Sequence, residues 1–187
     1  MTLEPETPKQ RLLATASRLF YNEGIHGVGV DRIVKEARIT RATFYRHYAS
    51  KDALVEAYLR ATHAELETRV RQLTAQDDAR AALDALVDFI GDNAELPGFR
   101  GCHFINAAAE YPDPASAVRV AVGEHRRWFQ QTVTELAARL GHPDPAQAGQ
   151  TLVLLRDGAL AGAPLDDPES IRDGVKSAAA RLFELPG

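Results

Sequence analysis

Apolar residues recur along this chain at the three- and four-residue spacing of one helix face. In the first segment they are Leu12, Leu13, Ala16, Leu19 and Phe20, which together form one stripe of an amphipathic helix. β-Branched and aromatic residues do not alternate with a period of two over any stretch of five or more residues, as they would in a strand. The pattern therefore predicts an all-α fold of about nine helices.

Capping residues predict where the first helices begin and end. Thr7, Pro8 and Gln10 combine a capping box with a first-turn proline, and Gly24 supplies a stop. Ser50 is the expected N-cap of a long helix that contains Leu54, Val55, Tyr58, Leu59, Leu66, Val70 and Leu73.

Later helices are predicted over about 78–90 and 102–110, and three more follow Asp-Pro pairs. Proline holds the preceding residue in an extended conformation, which is the conformation of an N-cap. These pairs predict helices that cover about 114–140, 145–162 and 168–184.

A short basic segment stands out in an acidic chain of 187 residues with a net charge of −4. Residues 32–51 contain six Lys or Arg and a single acidic residue, Glu36, whereas residues 61–187 contain twelve basic and nineteen acidic residues. Such a segment favours local contact with a polyanion. A solvated helix face is the alternative interpretation.

The basic segment has the pattern of a helix-turn-helix. Val30, Ile33, Val34 and Ala37 form one face of a short helix, and Thr40 is the expected cap of a second. Two short helices joined by about three residues place the N-terminal residues of the second helix in the DNA major groove. The candidate DNA-binding residues are Thr40, Arg41, Ala42, Thr43, Tyr45, Arg46, His47 and Lys51.

Residues from about 11 to 59 resemble the TetR family of one-component bacterial transcriptional regulators. The resemblance is carried above all by VDRIVKEARITRATFYRHYASKDAL at 30–54. It implies phosphate contacts from Thr40, Thr43, Tyr45 and Lys51, with Arg41, Ala42 and Arg46 nearest the bases. Two residues depart from the family pattern, since Arg38 replaces a turn glycine and Gly29 replaces a Ser or Thr cap.

The resemblance also implies a DNA-binding domain at 1–50 and a ligand-binding and dimerisation domain at 51–187. It implies a homodimer that binds a near-palindromic double-stranded DNA operator, and a repressor that a small-molecule effector releases. The effector class cannot be named from the sequence.

Polar residues on the helix near 102–110 are candidate anchors for that effector. Cys102, His103, Asn106 and Glu110 project within an arc of about 100°, although they also fit a solvated face on which only Cys102 is buried. The full set of candidate ligand-binding residues is Tyr58, Thr62, Leu66, Phe89, Cys102, His103, Asn106, Glu110, His125, Trp128 and Phe129, with Leu86 and Tyr111 as neighbours.

Small and aliphatic residues of the last two predicted helices are candidates for dimerisation. Packing within one chain is the alternative explanation for these stripes. The candidates are Leu152, Leu155, Ala159, Val175, Ala179, Leu182 and Phe183.

Several function classes are disfavoured by what the chain lacks. Its single cysteine, Cys102, excludes an internal disulfide and a cysteine-cluster metal site. We find no phosphate-binding glycine loop or nucleophile elbow, and therefore expect no enzyme, metal or cofactor. We also expect no membrane association and a cytoplasmic location. The rival function is a helical protein that binds small molecules or senses redox state through Cys102 without binding DNA.

Overall fold

The computed structural model describes residues 7–184, and over this range the chain forms nine α-helices and no strand. The prediction of an all-α fold of about nine helices is confirmed. The helices are α1 (Pro8–Glu23), α2 (Val30–Glu36), α3 (Arg41–His47), α4 (Lys51–Thr74), α5 (Ala79–Ala94), α6 (His103–Glu110), α7 (Ala117–Arg139), α8 (Pro145–Gly162) and α9 (Pro168–Leu182). None of these helices is both long and apolar enough to cross a membrane.

Most predicted caps form as expected. The Thr7 hydroxyl accepts a hydrogen bond from the Gln10 backbone N–H at 3.2 Å, and the Gln10 side chain accepts one from the Thr7 N–H at 2.7 Å. The side chains of Ser50, Asp144 and Asp167 cap α4, α8 and α9, each by accepting a hydrogen bond from the backbone N–H three residues later. With the caps from Thr40, Asp78 and Ser116, side-chain capping fixes the start of seven of the nine described helices.

The cap predicted at Asp113 is wrong. The Asp113 side chain accepts a hydrogen bond from the Ala115 N–H at 2.9 Å and forms a turn. Ser116 caps α7 instead, because its hydroxyl accepts from the Arg119 N–H at 3.2 Å. The Asp-Pro pair therefore lies just before the helix rather than at its start.

Two apolar cores hold the helices together. The first joins α1–α3 to the start of α4 and to α6, and it contains Leu19, Phe44, Tyr58 and Phe104. The second lies among the end of α4 and α5, α7, α8 and α9. The first core continues past residue 50, the expected domain boundary, and there the ring of Tyr21 on α1 stacks on the ring of His103 on α6 at 4.0 Å.

The turn between α2 and α3 keeps a left-handed residue although no glycine is available there. Arg38 has a φ of 53°. Its N–H donates to the Lys35 carbonyl, and the Ile39 N–H donates to the Val34 carbonyl at 3.2 Å. This is the pattern of a Schellman motif, and Arg38 occupies the position that usually belongs to glycine.

Gly29, the other departure, is the N-cap of α2. It has ordinary extended dihedrals and offers no side-chain hydrogen bond. A Cβ atom at this position would meet no other atom within 4 Å. The position is therefore open to a capping side chain.

Gly29→Ser should raise the free energy of unfolding by about 0.5–1 kcal/mol, because the serine hydroxyl at the N-cap would accept a hydrogen bond from a backbone N–H of the first turn. The shift of the urea midpoint at constant slope measures the gain. Gly29→Ala is the control, since it adds a methyl group without an acceptor. An equal gain from alanine would show that the cap is not responsible.

Candidate nucleic-acid interface and effector cavity

The start of α3 presents a short polar surface to solvent. Arg41 and Ala42 are exposed in its first turn. The Thr40 hydroxyl accepts from the Thr43 N–H at 3.1 Å and lies 3.0 Å from the Thr43 hydroxyl. Tyr45 is 52% exposed. A compact row of small, hydroxyl and basic side chains therefore surrounds this helix end.

Ion pairs separate the cations of the basic segment into two groups. Arg32 is paired with Glu23 and Glu36, and Arg41 forms an exposed pair with Asp31 at 2.8 Å. An exposed pair of this kind is weak and readily exchanged. In the described part of the chain, no carboxylate lies within the 4 Å ion-pair distance of Lys35, Arg38 or Arg46.

Two predicted DNA contacts are less accessible than the others. The Nε2 atom of His47 is buried without a hydrogen-bond partner among the described residues, so this nitrogen does not reach the surface formed by Thr40 and Tyr45. Lys51 is half-buried. Burial lowers the pKa of its ammonium group, while the carboxylates of Asp52 and Glu110 oppose that shift.

A cavity of about 440 Å³ lies beside α6. Five of the predicted ligand residues line it, namely Thr62, Leu66, Phe89, Cys102 and His103. The other lining residues are Tyr21, Glu65, Arg69, Asn93, Leu96, Pro97, Gly98, Phe99, Gly101, Phe104, Arg156 and Leu160. This size and the mainly apolar lining are typical of a small-molecule site.

The remaining predicted ligand residues are not gathered at this cavity. Tyr58, Asn106 and Glu110 line a smaller cavity of about 280 Å³ between α1 and α6. His125 and Phe129 are buried. Trp128 is half-buried beside His63, with their rings 5.0 Å apart. The single site expected from the sequence is therefore divided between two places.

His103 connects the two cavities, since it lines both. Its Nδ1 atom lies 2.5 Å from the Tyr58 hydroxyl, and its ring stacks on Tyr21 at 4.0 Å. Burial lowers the pKa of His103 to about 4, so the ring is neutral at pH 7. If Nδ1 accepts a hydrogen bond from the Tyr58 hydroxyl, the ring proton is on Nε2, which can then donate a hydrogen bond.

His125 lies behind the cavity in a hydrogen-bonded row. Its Nε2 atom lies 3.2 Å from an Arg156 nitrogen, and its Nδ1 atom lies 3.2 Å from Nδ1 of His63. Its ring stacks on Phe104 at 3.6 Å. Burial first, and then the Arg156 charge, lower its pKa to about 3. Because arginine only donates, Nε2 is the acceptor and Nδ1 carries the proton.

The structure places Glu110 outside the main cavity, at the smaller one. Its carboxylate accepts hydrogen bonds from the backbone N–H groups of Ile25 at 2.7 Å and His26 at 2.6 Å. The neighbouring Tyr111 hydroxyl donates to Asp52 at 2.7 Å. The end of α6 is therefore fixed to the α1–α2 turn and to the start of α4.

Most side chains predicted for dimerisation are buried within their own chain. Leu152 is fully buried, and Ala159, Val175, Ala179 and Phe183 are nearly so, because α8 and α9 cover α5 and α7. Leu155 and Leu182 are half-buried. The buried side chains of this set offer a partner little surface, whereas Leu155 and Leu182 offer more.

Sequence reasoning missed Arg156, which is 7% exposed in the wall of the main cavity. A signal for it was present. Arg156 lies four residues after Leu152 and four before Leu160, and is thus the one charged residue on a buried stripe.

The acid sensitivity of folding should include a contribution from His125. The unfolded chain binds this proton with a pKa near 6.5, whereas the folded pKa is about 3. Stability present above pH 6.5 is therefore lost as the pH falls toward 3. The expected slope is about 1.4 kcal/mol per pH unit for this group.

His125→Gln should remove that part of the slope, because glutamine keeps an acceptor for Arg156 but does not titrate. Urea unfolding between pH 6.5 and 5 measures it. Above pH 7.5 the free energies of unfolding of the two proteins should change with pH in parallel, because His125 then binds no proton in either the folded or the unfolded state. An unchanged slope in the variant would contradict the neutral, buried His125.

Comparison with known proteins gives consistent matches. Residues 12–58 match the family described as "Bacterial regulatory proteins, tetR family". The fold superposes with a TM-score of 0.89 on SCO4454, a TetR-family transcriptional regulator from Streptomyces coelicolor, at 47% identity over 95% of this chain and 96% of that one.

Two curated relatives match over shorter stretches. The HTH-type transcriptional activator FasR of Mycolicibacterium smegmatis is 34% identical over 59% of this chain and 52% of its own. The HTH-type transcriptional repressor SCO4008 of Streptomyces coelicolor is 31% identical over 50% and 47%. The chain thus spans about half the length of each. All these relatives are named as transcriptional regulators, a class distinct from enzymes, and the chain belongs to the TetR family of transcriptional regulators.

Proposed function

We propose that this chain is a ligand-responsive, sequence-specific DNA-binding repressor that acts as a homodimer. A small molecule in the main cavity would release it from a near-palindromic operator. In a dimer, two copies of α3 would enter successive major grooves about 34–36 Å apart. The relatives lend no support to the rival protein that does not bind DNA.

The surface around the start of α3 supports DNA as the partner. Arg41 can donate two hydrogen bonds to a guanine edge, and Ala42 allows the backbone to approach closely. The exposed pair of Arg41 with Asp31 is readily exchanged, which leaves the guanidinium available at the helix end. Thr40, Thr43 and Tyr45 supply hydroxyl groups for phosphates.

One observation carries the ligand-responsive part of the proposal: α6 contacts the cavity at one end and the DNA-binding helices at the other. Cys102 and His103 line the cavity, and Glu110 binds the α1–α2 turn. A ligand that fits better after a shift of α6 would move α1–α3. A preference of about 1–3 kcal/mol would change operator occupancy severalfold or more.

The exposed side of α8 and α9 supports a homodimer. Between these helices lies a shallow groove of about 330 Å³ lined by Leu155, Ala159, Val175 and neighbours. Leu154, at its edge, is 59% exposed. Added Cβ atoms at Gly158 and Gly174 would meet no atom within 4 Å, so packing within the chain does not require glycine there.

Arg41→Ala should weaken operator binding by about 1–3 kcal/mol and relax preference at one base position. Selection of bound fragments from genomic DNA supplies the operator, and titration at several salt concentrations measures the loss. Arg60→Ala is the control, since Arg60 lies on α4 and pairs with Glu56 and Glu124. Equal losses of operator affinity in the two variants would show that Arg41 contributes only its charge and makes no specific base contact.

Leu154→Asp should convert the dimer to a monomer and weaken operator binding at least about tenfold, because each half-site would then bind alone. Sedimentation velocity measures the mass. Leu165→Asp introduces the same charge at a leucine that is 83% exposed, and it should leave the dimer intact. A wild-type monomer, or a dimer that persists in Leu154→Asp, would refute this interface.

A further inference from the structure

The wall of the main cavity contains a buried cation. Arg156 lies on α8 and is 7% exposed, whereas arginine is rarely buried so completely unless it is paired. Its guanidinium carbon lies 4.7 Å from the centre of the Phe129 ring. The side chain is therefore fixed by packing at the inner end of the cavity rather than extended into solvent.

Arg156 is only partly neutralised by its own chain. Among residues 7–184, the one carboxylate in ion-pair contact with Arg156 is that of Asp157, at 3.2 Å. The other oxygen of Asp157 binds Arg126. Two guanidinium groups thus share one carboxylate, the buried one of Arg156 and that of Arg126, which is 45% exposed, and the three groups together carry an excess of one positive charge.

Two other side chains contact the Arg156 guanidinium. One terminal nitrogen lies 3.2 Å from His125 Nε2 and 3.8 Å from the Cys102 sulfur. His125 accepts this hydrogen bond in its neutral form. The hydrogen bond to His125 satisfies a donor without cancelling charge. A partly unpaired charge in a low-dielectric site is costly, and an added anion would reduce that cost.

The rest of the cavity fits an apolar body with one polar end. Leu66, Phe89, Phe99, Phe104 and Leu160 supply aliphatic and aromatic surface. At the exposed rim, Glu65 and Arg69 carry one charge of each sign, so they favour neither an anion nor a cation. The sign of the charge that the cavity prefers is therefore set at Arg156.

We infer that the effector is an organic monocarboxylate with an aromatic or aliphatic body, whose carboxylate binds the Arg156 guanidinium. A single negative charge balances the excess of one at Arg156 and Arg126, whereas a phosphate dianion would leave a buried negative charge. The planar guanidinium also matches a carboxylate with two parallel hydrogen bonds. This inference rests on the proposed function of the cavity as the effector site.

The test uses three probes that share one body and differ in the polar end: 4-phenylbutanoate, 4-phenylbutanol and 4-phenylbutylamine. Calorimetric titration of the full chain without DNA should show the acid binding at least about tenfold more tightly than the alcohol. The amine should bind most weakly. Equal affinities, or no binding of any probe at millimolar concentration, would overturn the inference.

Variants then assign the preference to one side chain. Arg156→Met should lower affinity for the acid at least about tenfold and change affinity for the alcohol little. Arg69→Met removes the same charge at the rim and should change neither by more than about threefold. Asp157→Asn removes the carboxylate partner of Arg156 and should strengthen binding of the acid. This second variant tests the inference even if Arg156→Met does not fold.

A mobility-shift titration with the operator, on the same preparations, separates the two proposals. Operator binding without any preference for the acid would overturn only the carboxylate inference. A preference for the acid that depends on Arg156, in a protein that binds no DNA, would uphold the site and overturn the repressor function.

Discussion

The hydrogen bonds that the Glu110 carboxylate accepts from the α1–α2 turn are the constraint on which the rest of the arrangement depends. A single carboxylate accepts from two successive backbone N–H groups, those of Ile25 and His26, and charge-assisted bonds of this kind are stronger than neutral ones. Since α6 has only eight residues, it spans about 12 Å. A shift of its cavity end would therefore be transmitted to the α1–α2 turn at the other end.

A second connection runs through Tyr21 at the other end of α6. Its hydroxyl donates to the Gly101 carbonyl at 3.1 Å and accepts from the Arg100 N–H at 2.8 Å, while its ring stacks on His103. Tyr21 belongs to α1 and also lines the cavity. A ligand in the cavity would thus contact α1 directly, through Tyr21, as well as indirectly through α6. The free energies of these two connections can add to give the coupling between ligand and DNA binding that is expected of a regulator.

The sequence predicted well what depends on neighbouring residues. Caps act over two or three positions, so Thr7, Ser50 and the later Asp-Pro pairs were sufficient to place helix starts. Glu110 shows the limit of this reasoning, because its partner Ile25 lies 85 positions away. Periodicity identifies the face that holds Glu110 but not what that face meets. The position of Arg156 depends in the same way on contacts with another helix, those with Phe129 and His125 of α7.

Partial neutralisation of Arg156 suits a site that must be stable both empty and filled. Without Asp157 the empty protein would bury a guanidinium that has no carboxylate partner, which would take up part of the about 5–15 kcal/mol that stabilises a domain of this size. With a carboxylate of its own for each arginine, the site would have no charge left for a ligand to balance. Sharing Asp157 between Arg126 and Arg156 lies between these extremes. It keeps the empty fold stable while reserving one favourable interaction for the bound state, and only such a differential interaction can shift the conformational equilibrium.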